Sequence, residues 1–131
     1  MQNNPIMQYR EQAISTMTSA EQLILLFDEA LKNLRYGAMM LKNENYATAQ
    51  KCTEKCKDIF RYLSSILDRN YSISNDLYDL YYFVNQQVIR AEARRDPALL
   101  EELLPLVQEM RDTWAEAAKL VHMNKESGKI S

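Results

Sequence analysis

Glycine and proline are nearly missing from this 131-residue chain: Gly37 and Gly128 are the only glycines, and Pro5, Pro97 and Pro105 the only prolines. That scarcity excludes a Gly-rich phosphate loop and flexible internal linkers, and it argues against sheets joined by tight turns. Histidine is scarcer still, with His122 alone. Di-metal carboxylate bundles need a Glu with a His three residues later on two helices, but Lys119 stands three places before His122. A phosphorelay needs a histidine on an exposed face within a bundle, and His122 falls at the end of the last helical segment. Cys52 and Cys56 are one helical turn apart and point the same way along the axis, a poor geometry for a bridge. They read as two small core residues in a reducing compartment. No further ligands at metal-site spacing accompany them, so neither metal nor cofactor is expected.

Charge of one sign is also absent. Sixteen basic and eighteen acidic residues leave a formal charge of −2, with no basic stripe of the kind nucleic acid requires. No run approaches the roughly 18 apolar residues of a membrane span. Residues 1–6 lack the basic start and apolar centre of a signal peptide. A soluble cytoplasmic protein is expected, with no nucleic-acid partner and no membrane insertion.

What the chain does have is helical periodicity. Ser19, with Gln22 three places on, reads as a capping box ahead of the stripe Leu23, Leu26, Phe27, Ala30, Leu31, Leu34, Ala38 and Leu41. A second segment starts near Asn45 and carries Ala49, Cys52, Cys56, Ile59, Phe60, Leu63 and Ile66 or Leu67. A third, capped by Ser72 or Ser74, runs to about Arg95, with Leu77, Leu80, Tyr81, Val84 and Val88 on its core stripe. Asp96 and Pro97 start the fourth, whose buried side is Leu99, Leu100, Leu103, Val107, Met110, Trp114, Ala117 and Val121. Pro105 predicts a kink there, or a short helix handing over to a longer one.

Short connections make consecutive helices antiparallel neighbours. The expected fold is therefore all-α: an up-down-up-down four-helix bundle over residues 19–122. An N-terminal arm of residues 1–18 precedes it, and a frayed, flexible tail of residues 123–131 follows. At this length folding can bury roughly two-thirds of the unfolded surface.

The apolar residues exceed what one core needs. Tyr78, Tyr82 and Ile89 form a second line beside the stripe of the third helix. The first helix adds Ile24, Leu25, Met39 and Met40 off its stripe, and the fourth adds Leu104 and Leu106. Monomers rarely expose large contiguous apolar patches, and a groove that receives amphipathic helices is their natural use. Methionine adapts to variable surfaces, and tyrosine offers broad contact with a polar tip. The arm carries Ile6, Met7, Tyr9 and Ile14, either as incidental apolar residues or as groups that lie in such a groove. Glu101, Glu102, Glu109, Asp112 and Glu116 read as a solvated face, and no nucleophile–base pair stands out. An enzyme is not expected.

Four elements carry a resemblance. Ser19-Ala20-Glu21-Gln22-Leu23, followed by an apolar run, is similar to a Thr/Ser-Pro-Glu-Lys-Leu pattern. Asp76-Leu77-Tyr78-Asp79-Leu80-Tyr81-Tyr82-Phe83 resembles an Asn-Leu-Tyr-x-Leu-Tyr-Asp-Tyr element. Ala91 through Asp96 and Met110-Arg111-Asp112-Thr113-Trp114 are similar to Ala-Asn-x-x-x-Asp and Leu-Arg-Asp-x-Trp elements. Order and spacing agree from about Tyr9 to Ala118. The family they resemble is the flagellar secretion chaperone FliS, the cytoplasmic partner of flagellin. Departures are Ala20 for the proline, Asp76 for the asparagine, and Pro105 where a small residue is common.

The resemblance implies a cytoplasmic export chaperone. It would bind the disordered C-terminal segment of flagellin as helices on the bundle, prevent premature polymerisation and keep the subunit competent for flagellar type III export. Other flagellar export or regulatory proteins are further partners it allows. It also implies an arm that covers part of the groove until the client arrives, with Tyr9 matching the family's N-terminal tyrosine. The competing reading is a structural bundle that self-associates through its extra apolar faces.

Overall fold

The computed structural model describes residues 19–130, with side chains through Leu120. Five helices follow one another: α1 (Ser19–Lys42), α2 (Tyr46–Ser65), α3 (Ile73–Arg94), α4 (Pro97–Glu101) and α5 (Leu104–Ile130). The fourth rod of the bundle is thus α4 and α5 in series. Asp96 caps α4 by accepting from the amide of Ala98 at 3.0 Å, with Pro97 in the first turn. Pro105 is the second residue of α5, where a missing amide leaves no helical acceptor empty. The proline therefore starts a helix instead of bending one. α5 continues to Ile130, past the bundle boundary expected at 122.

Two tight corners share one device. Glu44 and Arg95 adopt left-handed backbone, with φ of 58° and 49°, a conformation that costs a non-glycine residue roughly 1–2 kcal/mol. At the first corner the Asn45 amide reaches back to the Met40 carbonyl at 2.8 Å; at the second, Asp96 reaches Ala91 at 3.1 Å. Each closes the preceding helix in the Schellman manner. Asn45 then caps α2 by accepting from Thr48, as Asp96 caps α4. One residue ends a helix and the next begins another, which forces the antiparallel course.

α1 is the hub, packing against α2, α4 and α5, while α3 packs on α2 and α4. Phe60 sits fully buried in the middle. Its ring meets Phe27 of α1 at 6.3 Å and Tyr81 of α3 at 5.7 Å between centroids. Tyr81 and Trp114 of α5 line one pocket, which brings α5 beside α3. Gly37 permits the closest approach of three helices: a Cβ there would stand 3.3 Å from Cys52 Cβ and 3.4 Å from Leu100 Cδ1.

The sequence stripes hold with corrections. Leu80, expected in the core, is 37% exposed. It lies roughly 60–70° off the line through Leu77, Tyr81, Val84 and Val88, and Ser74 and Ala91 extend that line instead. Leu80→Ala is accordingly expected to cost about 1 kcal/mol or less in a denaturant titration, not the 2–5 kcal/mol of a core leucine. Met40, expected outside, is buried, because a hub helix contacted from several sides has a wider apolar arc. Leu104 and Leu106, also expected outside, are partly buried against the core where α5 begins. Just past the end of α2, Leu67 packs against the core and Ile66 is exposed; on α5, Ala118 is buried and Ala117 only partly so. The third helix starts after Ser72, but no side chain caps it; the Ser74 hydroxyl donates to the Tyr71 carbonyl at 2.7 Å.

Both cysteines are free and buried. Burial pushes the Cys56 thiol up to about 12, and Cys52 is raised for the same reason. The unfolded thiol ionises near 9.0 while folded Cys56 stays protonated, so its stabilising contribution is whole below that pH and declines above it. At pH 8 neither thiol should react with Ellman's reagent until denaturant is added, when two equivalents should appear.

Candidate functional site

The polar contents of the α2–α3 seam fix how these two helices meet. The Lys57 side chain is only 10% exposed, yet its ammonium is held at 2.8 Å by Glu92 of α3 and at 2.7 Å by Glu54. Burial alone would lower its pKa; the hydrogen bonds and charges of Glu54 and Glu92 outweigh that and raise it. The Thr53 hydroxyl donates to the other Glu92 oxygen at 2.6 Å. Further along, Asn85 donates to the Lys57 carbonyl at 3.2 Å. Arg95 stacks over the ring of Tyr46, 3.8 Å from its centroid, at the far end of the same seam. These contacts tie α3 to α2 beside the groove that the two helices share.

That groove, of about 440 Å³, is lined by Tyr78, Tyr82 and Ile89 together with Arg61, Asn85 and Gln86. Three sequence-predicted residues from one helix line thus meet in one place. Tyr82 is 57% exposed, and Tyr78 and Ile89 are exposed as well. Arg69 lies over the Tyr78 ring at 4.7 Å. Ile89 also lines a neighbouring groove of about 430 Å³ that ends at Tyr46 and Arg95.

Leu25 belongs to a different depression, about 480 Å³ in volume, between the start of α1 and the end of α2. Its other apolar walls are Leu23, Leu26, Tyr62 and Ile66. Tyr62 and Leu26 continue into a wider trough of about 770 Å³ along the outer face of α2, which also holds Ile59 and the charged Lys51, Glu54, Lys55 and Asp58. Apolar surface therefore flanks α2 on both sides, with α1 and with α3.

Met39 is exposed but lines none of these grooves, and Ile24 is partly buried. Leu106 packs against the core and belongs to the bundle's interior edge. Ile6, Met7, Tyr9 and Ile14 of the arm lie outside the described residues. Sequence reasoning assigned α2 no outer line and so missed Tyr62 and Ile66. Their four-residue spacing was the available signal, obscured because Ile66 also continues the core stripe of Leu63 in sequence. It also passed over Phe83, Tyr71 and Ile73, all exposed. Among the described residues no cluster of His, Cys, Asp or Glu could hold a metal, and no helix is long and apolar enough to cross a membrane.

The FliS family model (flagellar protein FliS) matches residues 1–121. The flagellar secretion chaperone FliS of Bacillus subtilis (strain 168) is 25% identical over 114 residues, covering 87% of this chain and 86% of its own length. A crystal structure of a bacterial flagellar chaperone superposes with a TM-score of 0.73 at 17% identity, over 88% of this chain and 98% of that one. At that identity the superposition speaks for the fold, and the match across most of the chain speaks for the family. An all-helical bundle with apolar grooves on both sides of its second helix is thus one more member of the FliS family of flagellar proteins.

Proposed function

We propose that this chain is a cytoplasmic export chaperone for flagellin, acting by binding and not by catalysis. It holds the C-terminal segment of flagellin, which is disordered before assembly, as amphipathic helices in the grooves flanking α2. Covering that segment prevents premature polymerisation and keeps the subunit ready for type III export. The observation that carries this reading is the exposed line Tyr78, Tyr82 and Ile89 gathered into one groove of a FliS-family bundle. A client that folds as it binds loses ordering entropy, so an extended apolar contact is needed to offset the loss. The arm of residues 1–18 acts as an internal competitor whose displacement lowers apparent affinity, because the competent state is only partly populated.

Calorimetric titration of the full chain with a flagellin C-terminal peptide tests this directly. Saturable one-to-one binding with a negative heat-capacity change is expected, together with tighter binding when residues 1–17 are removed. Absence of heat at any concentration would overturn the proposal. Sedimentation of the protein alone should show a monomer; a tight dimer that buries the same tyrosines would favour the self-associating bundle.

A further inference from the structure

Asn85 is the one polar interruption in the line from Tyr78 through Tyr82 to Ile89, and it lines the same groove. Its Nδ2 donates to the Lys57 carbonyl of α2 at 3.2 Å. A carbonyl only accepts, so this bond fixes which end of the carboxamide faces α2. The other end, Oδ1, is buried and has no hydrogen-bond partner among the described residues, the single side-chain atom in that condition. Native proteins leave few polar atoms so placed, and each needs a reason. A leucine or alanine would occupy the position without the desolvation cost.

The surrounding charges select the class of donor that could meet this oxygen. Arg61 lines the groove and is paired with Asp58 at 2.9 Å. The ammonium of Lys57 is held by Glu54 and Glu92. Each of these carboxylates is already engaged by a cation, so a further cation at Oδ1 would lack a counter-charge of its own, whereas a hydroxyl or carboxamide needs none. Arg61 and Gln86 are long side chains lining the same groove, and a rotamer change in one of them is required for an incoming group to reach the buried oxygen.

We propose that Asn85 Oδ1 accepts a hydrogen bond from a neutral donor side chain (Ser, Thr, Asn or Gln) of the flagellin helix seated among Tyr78, Tyr82 and Ile89. This rests on the chaperone function proposed above and assigns Asn85 as the residue that sets the client's register. Apolar contacts along a groove tolerate sliding, and a single buried polar pair removes that freedom, as a buried Asn does in a coiled coil. Among the described residues this oxygen has no partner, and only one alignment of the client satisfies it.

The test is a double-mutant cycle on the full chain, read by calorimetry against the flagellin C-terminal peptide. Asn85→Leu should weaken binding about 3- to 10-fold, the range of one neutral hydrogen bond, with a melting temperature equal to wild type or higher. Alanine substitution of each Ser, Thr, Asn and Gln of the peptide should then identify one position that loses the same factor against wild type and almost nothing against Asn85→Leu. Unchanged affinity in Asn85→Leu would overturn the acceptor role while leaving the chaperone function standing. So would equal peptide losses against both proteins. Failure of the wild type to bind any peptide would overturn the function itself, and the acceptor role with it. Asn85→Ala carries the same cycle if Asn85→Leu does not fold.

Discussion

Phe60→Ala is expected to remove about 3–5 kcal/mol of folding stability, among the largest single losses from a side chain of the bundle. The residue has no exposed surface and links α1 to α3 through its ring contacts with Phe27 and Tyr81. Truncation forfeits the transfer of the ring from water and leaves a cavity that three helices must share. Domains of this size are stable by only about 5–15 kcal/mol, so the loss is a large fraction of the whole. Melting should fall by at least about 10 °C in a calorimetric scan. A loss below about 1 kcal/mol would show that α1, α2 and α3 do not converge on this ring.

The triple variant Tyr78→Ala, Tyr82→Ala, Ile89→Ala should do the reverse. Its side chains are exposed, so thermal stability should stay within a few degrees of wild type. Affinity for the flagellin segment should fall at least about 30-fold, because buried aromatic anchors at the centre of an interface cost about 2 kcal/mol or more when truncated. Tyr81→Ala is the informative contrast. Tyr81 lies between these residues in sequence, but it faces Phe60 and Trp114 and should lose stability before affinity. Equal losses of stability and binding in both variants would mean that the outer line of α3 is part of the core.

Much of this arrangement is written in periodicity. The α1 stripe from Leu23 to Leu41 and the α2 stripe from Ala49 to Leu63 read correctly, because a three-and-four spacing admits one burial face. The start of α4 at Asp96-Pro97 was equally legible, since a capping carboxylate followed by proline has few other uses. Leu80 was misplaced for a physical reason: its three-residue spacing from Leu77 fits a stripe, but burial follows the centre of the apolar arc. Met40 was misplaced because the width of that arc on α1 depends on how many helices surround it. No single segment states that number.

The site was legible on α3 and not on α2. Tyr78, Tyr82 and Ile89 stand out because α3 has a complete core stripe without them. Tyr62 and Ile66 do not, because Ile66 falls where a core stripe could continue and only the end of α2 at Ser65 turns it outward. The orphaned Oδ1 of Asn85 has no sequence signal whatever. It depends on the Lys57 carbonyl claiming the other end of the amide, a contact between residues 28 apart.

Hydroxyl-radical footprinting of the tyrosines tests most directly whether a foreign helix covers the α2–α3 groove. In protein lacking residues 1–17, which frees the groove of its internal competitor, Tyr78 and Tyr82 should be oxidised readily and become several-fold less reactive when flagellin saturates it, while buried Tyr81 stays slow in both states. If Tyr78 and Tyr82 react equally fast with and without saturating flagellin, the client lies elsewhere and the groove has been given the wrong task.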